Sequence, residues 1–140
     1  MEIQPYLFFD GRCEEAIAFY RDALGAQELM KLRFKDAPAS NDYQSAPELA
    51  DKIMHATLAI GKTHLLLSDG QCGGEKVAYA GFSLSVTASD VAAGEKYFKA
   101  LAQDGQITMP FQKTFWTDGF GMLVDKFGVP WMVNVQHEAA

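Results

Sequence analysis

The sequence of 140 residues has 18 acidic and 12 basic side chains and a formal net charge of −6 at pH 7. Such an acidic surface repels phosphate backbones and anionic lipids, which argues against nucleic acids and membranes as partners. Hydrophobic residues make up 49% of the chain, enough to build the core of one ordinary domain. The sequence shows neither a signal-peptide pattern nor an apolar run long enough to span a bilayer, so we expect a cytoplasmic protein.

The first half of the chain predicts one helix among four strands. The apolar segment 3–9 ends at the turn pair Asp10-Gly11 and predicts a buried strand. Apolar residues then recur at helical spacing from about Cys13 to Leu24, and Gly25 suits a left-handed helix cap. Further strands are predicted over 26–35, 52–60 and 63–68, the last two joined by a tight turn at Gly61-Lys62.

The second half repeats this order. Segment 81–88 alternates between apolar and polar residues, as a strand does, and Ser89-Asp90 can cap a helix that runs to about Gln103. Strands are predicted over 107–115, 122–126 and 131–135. Phe19-Tyr20-Arg21 also lies 78 residues before the similar triplet Tyr97-Phe98-Lys99.

A duplication explains the repeated order. We therefore predict an α+β fold of two βαβββ modules, about 1–70 and 80–136, within a single domain over 1–140. Each module should be a four-stranded mixed sheet backed by one helix, packed around Phe19 and Phe98 respectively. The alternative is an α+β domain in which the similarity of the halves is coincidental.

Cys13 and Cys72 belong to no shared motif. Two free thiols in a reducing cytosol are the expected state, and a structural disulfide is the alternative. Neither cysteine is paired in sequence with a histidine, so the pattern indicates no thiol nucleophile.

Several stretches carry a resemblance to a known family. Together with the βαβββ duplication, AIAFYRDALGA (16–26) resembles the vicinal-oxygen-chelate superfamily of glyoxalases, bleomycin-resistance proteins and dioxygenases. YLFFDG (6–11), GFSL (81–84), TFWTDGFG (114–121) and DKFGVPWMVNV (125–135) look like its PhnB-like branch. The resemblance implies a glyoxalase-like fold, a homodimer whose modules form half-barrels around a cleft, and a small-molecule ligand.

The resemblance also implies where a metal would be held. Enzymes of this superfamily usually bind a divalent ion through His and Glu on the first and last strands of each module. Those positions align with Gln4, Leu65, Gly81 and Met132. Only glutamine has a usable oxygen, and it is a weak neutral ligand, so we predict no metal and no other cofactor. His55, His64 and His137 have no recognised ligand spacing.

His55 is the first candidate for function, because it interrupts an otherwise apolar strand at a position where the PhnB-like resemblance also places a histidine. The alternative is a histidine at the edge of the core, bonded to a backbone carbonyl. Strand alternation places Gln4, Tyr6 and Phe8 on one face, and Ser83 on the same face as Gly81. If these faces line the cleft, with Met132 and Asn134, the cavity is apolar with hydroxyls and amides.

Phe115 and Trp116 form the second candidate group, in front of the flexible turn Asp118-Gly119. Such aromatics line ligand pockets, although a dimer interface or a hydrophobic plug is an equal alternative. Asp69, before Gly70, is expected to shape a turn. The candidate substrate-binding residues are therefore His55, Trp116, Tyr6, Gln4, Phe115 and Ser83, with no catalytic residue assigned.

These observations favour a metal-independent protein that binds a small molecule in a dimer cleft. Two alternatives come from the same superfamily: a metal-dependent lyase, isomerase, dioxygenase or antibiotic-modifying enzyme, and a resistance protein that sequesters a drug. The fold alone does not choose among them, because the same scaffold carries many activities.

Overall fold

The computed structural model describes residues 1–36, 47–70 and 78–136, so Cys72, His137 and most of the predicted loop 37–51 lie outside the described residues. The chain divides into two compact units, 1–77 and 78–140. The N-terminal unit contains β1 Tyr6–Phe8, α1 Cys13–Leu24, β2 Gln27–Arg33, β3 Ile53–Ile60 and β4 Thr63–Ser68. The C-terminal unit contains β5 Leu84–Ala88, α2 Val91–Ala102, β6 Gln106–Gln112, β7 Phe120–Val124 and β8 Pro130–Val135.

The two sheets have the same topology. Their strand orders are β1-β4-β3-β2 and β5-β8-β7-β6. In each sheet the first pair is parallel, β1 with β4 and β5 with β8, and the other pairs are antiparallel. This confirms the predicted α+β fold of two βαβββ modules with mixed sheets. That the two modules form one domain stays a prediction.

The helix α1 begins and ends at the predicted residues. Its buried positions Cys13, Ala16, Ile17, Tyr20 and Ala23 follow the helical period. Gly25 ends the helix with φ 69° and donates its N–H to the carbonyl of Arg21. The buried aromatic side chain is Tyr20, not the predicted Phe19, which is only half-buried. In α2 the equivalent residue, Phe98, is buried as predicted.

The N-terminus of α1 is held by a residue that is distant in sequence. Arg12, at the N-cap, makes no capping hydrogen bond with its side chain. Instead, Asp69 accepts the backbone N–H groups of Gly11 and Cys13, each at 2.8 Å, and that of Ile53 at 2.8 Å. Asp69 is only 2% exposed. It therefore joins the β1–α1 turn to β3 and β4, beyond shaping its own turn. In α2, Asp90 caps the helix as predicted, accepting from Ala93 at 2.8 Å.

Four strands, β1, β2, β5 and β6, are shorter than predicted by two or more residues. β2 ends at Arg33, directly before a short 3-10 helix. β1 starts at Tyr6, directly after Pro5, which has no N–H for a sheet ladder. β5 starts at Leu84, so that Gly81, with φ 82°, and Ser83 precede the strand. β6 ends at Gln112, and its register with β7 shifts on either side of Met109. No helix in the described ranges is long and apolar enough to cross a membrane.

Candidate functional site

One face of the N-terminal sheet packs against α1 and the other bears partly exposed side chains. Leu7, Leu58, Leu65 and Leu67 are buried with the helix. Their neighbours along each strand point the opposite way, because side chains alternate. We call this second surface the N-terminal open face. Strand pairing defines it by Tyr6, Phe8, Met30, Leu32, His55, Thr57, Leu66 and Ser68.

A chain of three polar side chains crosses the N-terminal open face. The hydroxyl oxygen of Tyr6 lies 2.9 Å from Nδ1 of His55. On the other side of the ring, Nε2 of His55 lies 3.3 Å from Oγ1 of Thr57. A neutral imidazole has one donor and one acceptor nitrogen, so its tautomer sets the direction of both hydrogen bonds. The arrangement can pass a proton between its two ends.

The phenol of Tyr6 is placed to act as a donor. Its ring stacks on Phe8, with centroids 5.0 Å apart and an interplanar angle of 26°. Burial raises the pKa of Tyr6, and the negative charge that a Cys13 thiolate would carry raises it further, against a hydrogen bond with Ser68 that lowers it. The phenol is therefore protonated at neutral pH, and it offers its proton to His55 or to a ligand.

Apart from Ser68, which is only 4% exposed, the rest of this face is apolar. Phe8, Met30, Leu32 and Leu66 surround the polar chain, and none of the eight side chains that define the face is an acid, a lysine or an arginine. An apolar surface with a few placed polar groups is the usual composition of a small-molecule site.

The structure brings together two of the six predicted site residues here, Tyr6 and His55. Gln4 precedes β1, and its amide donates to the carboxylate of Glu2 at 3.2 Å. Ser83 lies before β5 and outside the regular strand. Sequence reasoning missed Thr57 as a partner of His55. Strand alternation could have found it, because residues two apart in a strand share a face.

Phe115 and Trp116 lie together in the C-terminal unit. Their ring centroids are 4.9 Å apart, and Trp116 lies 5.4 Å from Phe120 at the start of β7. Phe115 is 97% exposed and Trp116 48% exposed. The segment is anchored by Thr117, whose buried hydroxyl donates to the carbonyl of Val135 at 2.9 Å. The aromatic side chains are thus presented by a fixed turn.

The C-terminal sheet has a corresponding exposed surface, which we call the C-terminal open face. Strand pairing with the partly exposed residues of β8 defines it by Ser85, Thr87, Met109, Gln112, Phe120, Met122, Met132 and Asn134. Oδ1 of Asn134 is enclosed and has no hydrogen-bond partner among the described residues. Leaving such an acceptor unpaired costs about 1–3 kcal/mol. Buried polar atoms without a partner are rare in proteins, so this oxygen is a candidate acceptor for a ligand.

A separate open cavity of about 650 Å³ lies beside α2 and β6. Phe98, Phe111 and Ile107 give it an apolar lining, with Lys99 and Lys113 among its charged residues. Lys99 is already paired with Glu95 at 3.2 Å, and Asp118 also lines the cavity. Its charges are thus balanced, and the cavity offers no strong preference for an anion or a cation.

The positions that the resemblance aligns with the superfamily's metal ligands lack the charged or strongly basic side chains that a divalent ion needs. The aligned position in the first module falls at about Leu65, but Leu65 is 2% exposed on the helix side, and Leu66 occupies the open face. Gly81 precedes β5 and has no side chain that could bind a metal. Met132 is on the open face but offers only a thioether, which hard divalent ions do not favour. In the described ranges, no three His, Cys, Asp or Glu residues cluster as a metal site.

Comparisons with known proteins support the two-module fold described above. Residues 2–133 match the model of the Glyoxalase/Bleomycin resistance protein/Dioxygenase superfamily. Protein YjdN of Escherichia coli (strain K12) is 41% identical over 141 residues, which cover 96% of this chain and 95% of YjdN. Protein PA1353 from Pseudomonas aeruginosa has a TM-score of 0.84 at 39% identity, with 99% of each chain covered.

A PhnB protein from Bacillus cereus has a TM-score of 0.80 at 27% identity, covering 97% of this chain and 100% of that one. This structural neighbour agrees with the resemblance to the PhnB-like branch. With a family match over nearly its whole length, the chain belongs to the Glyoxalase/Bleomycin resistance protein/Dioxygenase superfamily.

Proposed function

We propose that this protein binds a small organic molecule without a metal ion, and that the Tyr6–His55–Thr57 chain holds the polar group of that molecule. The observation that carries the proposal is the pair of hydrogen bonds on His55, 2.9 Å to Tyr6 and 3.3 Å to Thr57, on a face whose exposed side chains are otherwise apolar. A ligand carbonyl or hydroxyl can bond to the Tyr6 phenol or the Thr57 hydroxyl.

The same chain supports proton transfer as well as binding. In such a relay a ligand group gives a proton to the phenol oxygen of Tyr6 as Tyr6 gives its own proton to Nδ1 of His55. His55 then gives its Nε2 proton to the hydroxyl oxygen of Thr57, which passes its own proton to a second ligand atom or to water. No charged side chain is needed for this exchange. The site thus suits a neutral ligand, on which His55 acts through hydrogen bonds.

The donor set at the family positions supports metal independence. Gln4 is bonded to Glu2, Leu65 faces the helix, and Met132 has a soft sulfur donor only. Protein purified without a chelator or a nickel affinity tag should contain less than stoichiometric metal by mass spectrometry. One zinc, nickel, iron or manganese ion per chain would contradict the proposal and favour a metal-dependent lyase, isomerase, dioxygenase or antibiotic-modifying enzyme.

The role of His55 is tested by a thermal-shift screen with neutral aromatic and carbonyl compounds. A compound that binds only the folded protein raises its melting temperature. We expect this rise in the wild type, its loss in His55→Ala, and its retention in His64→Ala, which removes an exposed imidazole from the same hairpin. Equal shifts in all three proteins would remove His55 from the site. Recovery of the bound compound unchanged would indicate sequestration; conversion would indicate an enzyme.

We further propose that the protein is a homodimer. Large apolar side chains outside the two open faces are exposed, among them Leu29 at 53% and Phe82 at 43%. A two-fold dimer covers such surface with one self-complementary patch, and a credible interface buries more than about 1,000 Å². Sedimentation velocity should give a dimer at micromolar concentration. A monomer there would contradict this assembly.

A further inference from the structure

The C-terminal open face carries two side-chain rows that run across the strands in register. The first row consists of Ser85, Met132, Met122 and Met109. The second row consists of Thr87, Asn134, Phe120 and Gln112. Residues opposite one another on neighbouring strands are in direct reach, so each row forms a continuous surface.

The first row is a strip of three methionines. They occupy β8, β7 and β6, and neighbouring strands are about 4.8 Å apart, so the strip is roughly 10 Å long. That length matches a planar system of two fused rings. Thioether side chains are polarisable and adapt their shape, and they make favourable contacts with aromatic rings. The strip therefore favours a flat aromatic ligand over a branched or charged one.

The second row supplies the polar contact. Oδ1 of Asn134 has no partner among the described residues, and its register neighbours are Thr87 and Phe120. The terminal torsion of asparagine has broad minima, so the amide turns toward the face at little cost. A ligand O–H or N–H above the methionine strip can then donate to this oxygen. Phe120, in edge contact with Trp116, borders the same position.

We propose that the C-terminal open face binds planar aromatic compounds carrying a hydrogen-bond donor, with the rings on Met109, Met122 and Met132 and the donor on Asn134. The proposal goes beyond the proposed function, because it assigns a second binding face, on the other unit, and names the class of molecule that this face binds. It does not depend on His55.

The test uses 6-hydroxyquinoline and 6-methoxyquinoline, which differ only in whether the oxygen carries a proton or a methyl group. Titration into protein with ¹³C-labelled methionine methyls should shift the signals of the three methionines in the strip. Met54, next to His55 and on the opposite side of its strand, should not move. We expect the hydroxy compound to bind at least fivefold more tightly than the methoxy compound.

Variants separate the donor contact from the ring contact. Asn134→Ala should remove the difference between the two compounds, and Met122→Leu should weaken both. Equal affinities in the wild type, or strip methyls that neither compound shifts, would overturn the proposal even if a variant failed to fold. Methyl signals that respond to protein dilution but to neither compound would assign the face to contact between copies and would also overturn it.

The His55→Ala variant distinguishes a failure of this proposal from a failure of the proposed function. His55→Ala should leave binding of 6-hydroxyquinoline unchanged, so loss of binding in this variant would overturn the assignment to the C-terminal open face. Conversely, preserved discrimination between the two quinolines supports this site even if the thermal-shift screen shows no dependence on His55.

Discussion

The hydroxyl of Tyr6 lies 2.9 Å from Nδ1 of His55, although 49 positions separate the two residues. Their strands, β1 and β3, are not neighbours, because β4 lies between them. Two strand spacings amount to roughly 10 Å, which a short side chain at position 6 could not span. A tyrosine reaches across β4 and places its hydroxyl at the ring of His55.

Tyr6→Phe should break this contact and keep the ring stacked on Phe8. Because the hydrogen bond is partly exposed, we expect the free energy of unfolding to fall by no more than about 1 kcal/mol. The ¹⁵N resonances of the His55 ring should change clearly, since they report hydrogen bonding and the tautomer. Tyr97→Phe, in the other unit, is the control and should leave them unchanged. Identical His55 spectra in the wild type and Tyr6→Phe would show that the contact does not form in solution.

Asp69→Asn should be the most destabilising of the conservative polar changes proposed here. The carboxylate accepts three backbone N–H groups, from Gly11, Cys13 and Ile53. Asparagine would replace one carboxylate oxygen by an NH₂ group, which is a donor and would face these backbone donors. A buried donor left without an acceptor costs about 1–3 kcal/mol. The matched control is Asp90→Asn, which should be nearly neutral because asparagine caps helices as well as aspartate. Urea unfolding that gave equal losses for both variants would contradict this role for Asp69.

The sequence predicted the helix and strand order correctly because both depend on local patterns. α1 begins at Cys13 and ends at Leu24 as predicted, since apolar spacing and Gly25 together mark its bounds. The same pattern could not select between the adjacent aromatics Phe19 and Tyr20, which both fit a broad apolar stripe. Only the folded structure shows which aromatic is buried, and only the strand register shows which strand residues face the helix.

Leu65 shows most clearly that the sequence alone does not determine which face of a sheet a strand residue occupies. Leu65-Leu66-Leu67 is a uniform apolar run, so nothing in it indicates which residues face the helix. A shift of one residue in a strand moves a side chain to the opposite face. Pairing with Leu58 places Leu65 on the buried side. The contacts of His55 with Tyr6 and of Asp69 with Gly11 could not be predicted either, because only the strand order brings these residues together.

Gly119→Ala should destabilise the C-terminal unit by overpacking. A Cβ at this position would lie 2.4 Å from the ring of Phe111 and 2.9 Å from Val135. Forcing a methyl into packed surroundings costs typically about 1–3 kcal/mol. Phe111→Leu removes the ring tip, so the double variant should lose less stability than the sum of the single changes. The control pair is Gly25→Ala with Phe111→Leu, which should be additive because nothing lies within 4 Å of a Cβ at Gly25.

The last prediction concerns stability at acid pH. Glu14, at the start of α1, contacts the guanidinium of Arg33 and lies 3.6 Å from Lys31 on β2. The hydrogen bond from Arg33 lowers the pKa of Glu14, burial partly opposes this effect, and the positive charges of Arg33 and Lys31 lower the pKa further. A carboxyl whose pKa is lower in the folded state stabilises the protein above its unfolded-state pKa. That contribution is lost as the pH falls through the folded-state value.

Glu14→Gln should therefore reduce the free energy of unfolding at pH 7, and the difference from the wild type should shrink as the pH approaches 3. The pair is exposed and screened by solvent, so we expect at most about 1 kcal/mol at low salt and less at 0.5 M salt. Glu48→Gln is the control, because Glu48 forms no ion pair within the described ranges. Urea unfolding across this pH range measures both differences. A Glu14→Gln effect that stayed constant from pH 7 to pH 3 would show that the carboxylate charge does not contribute.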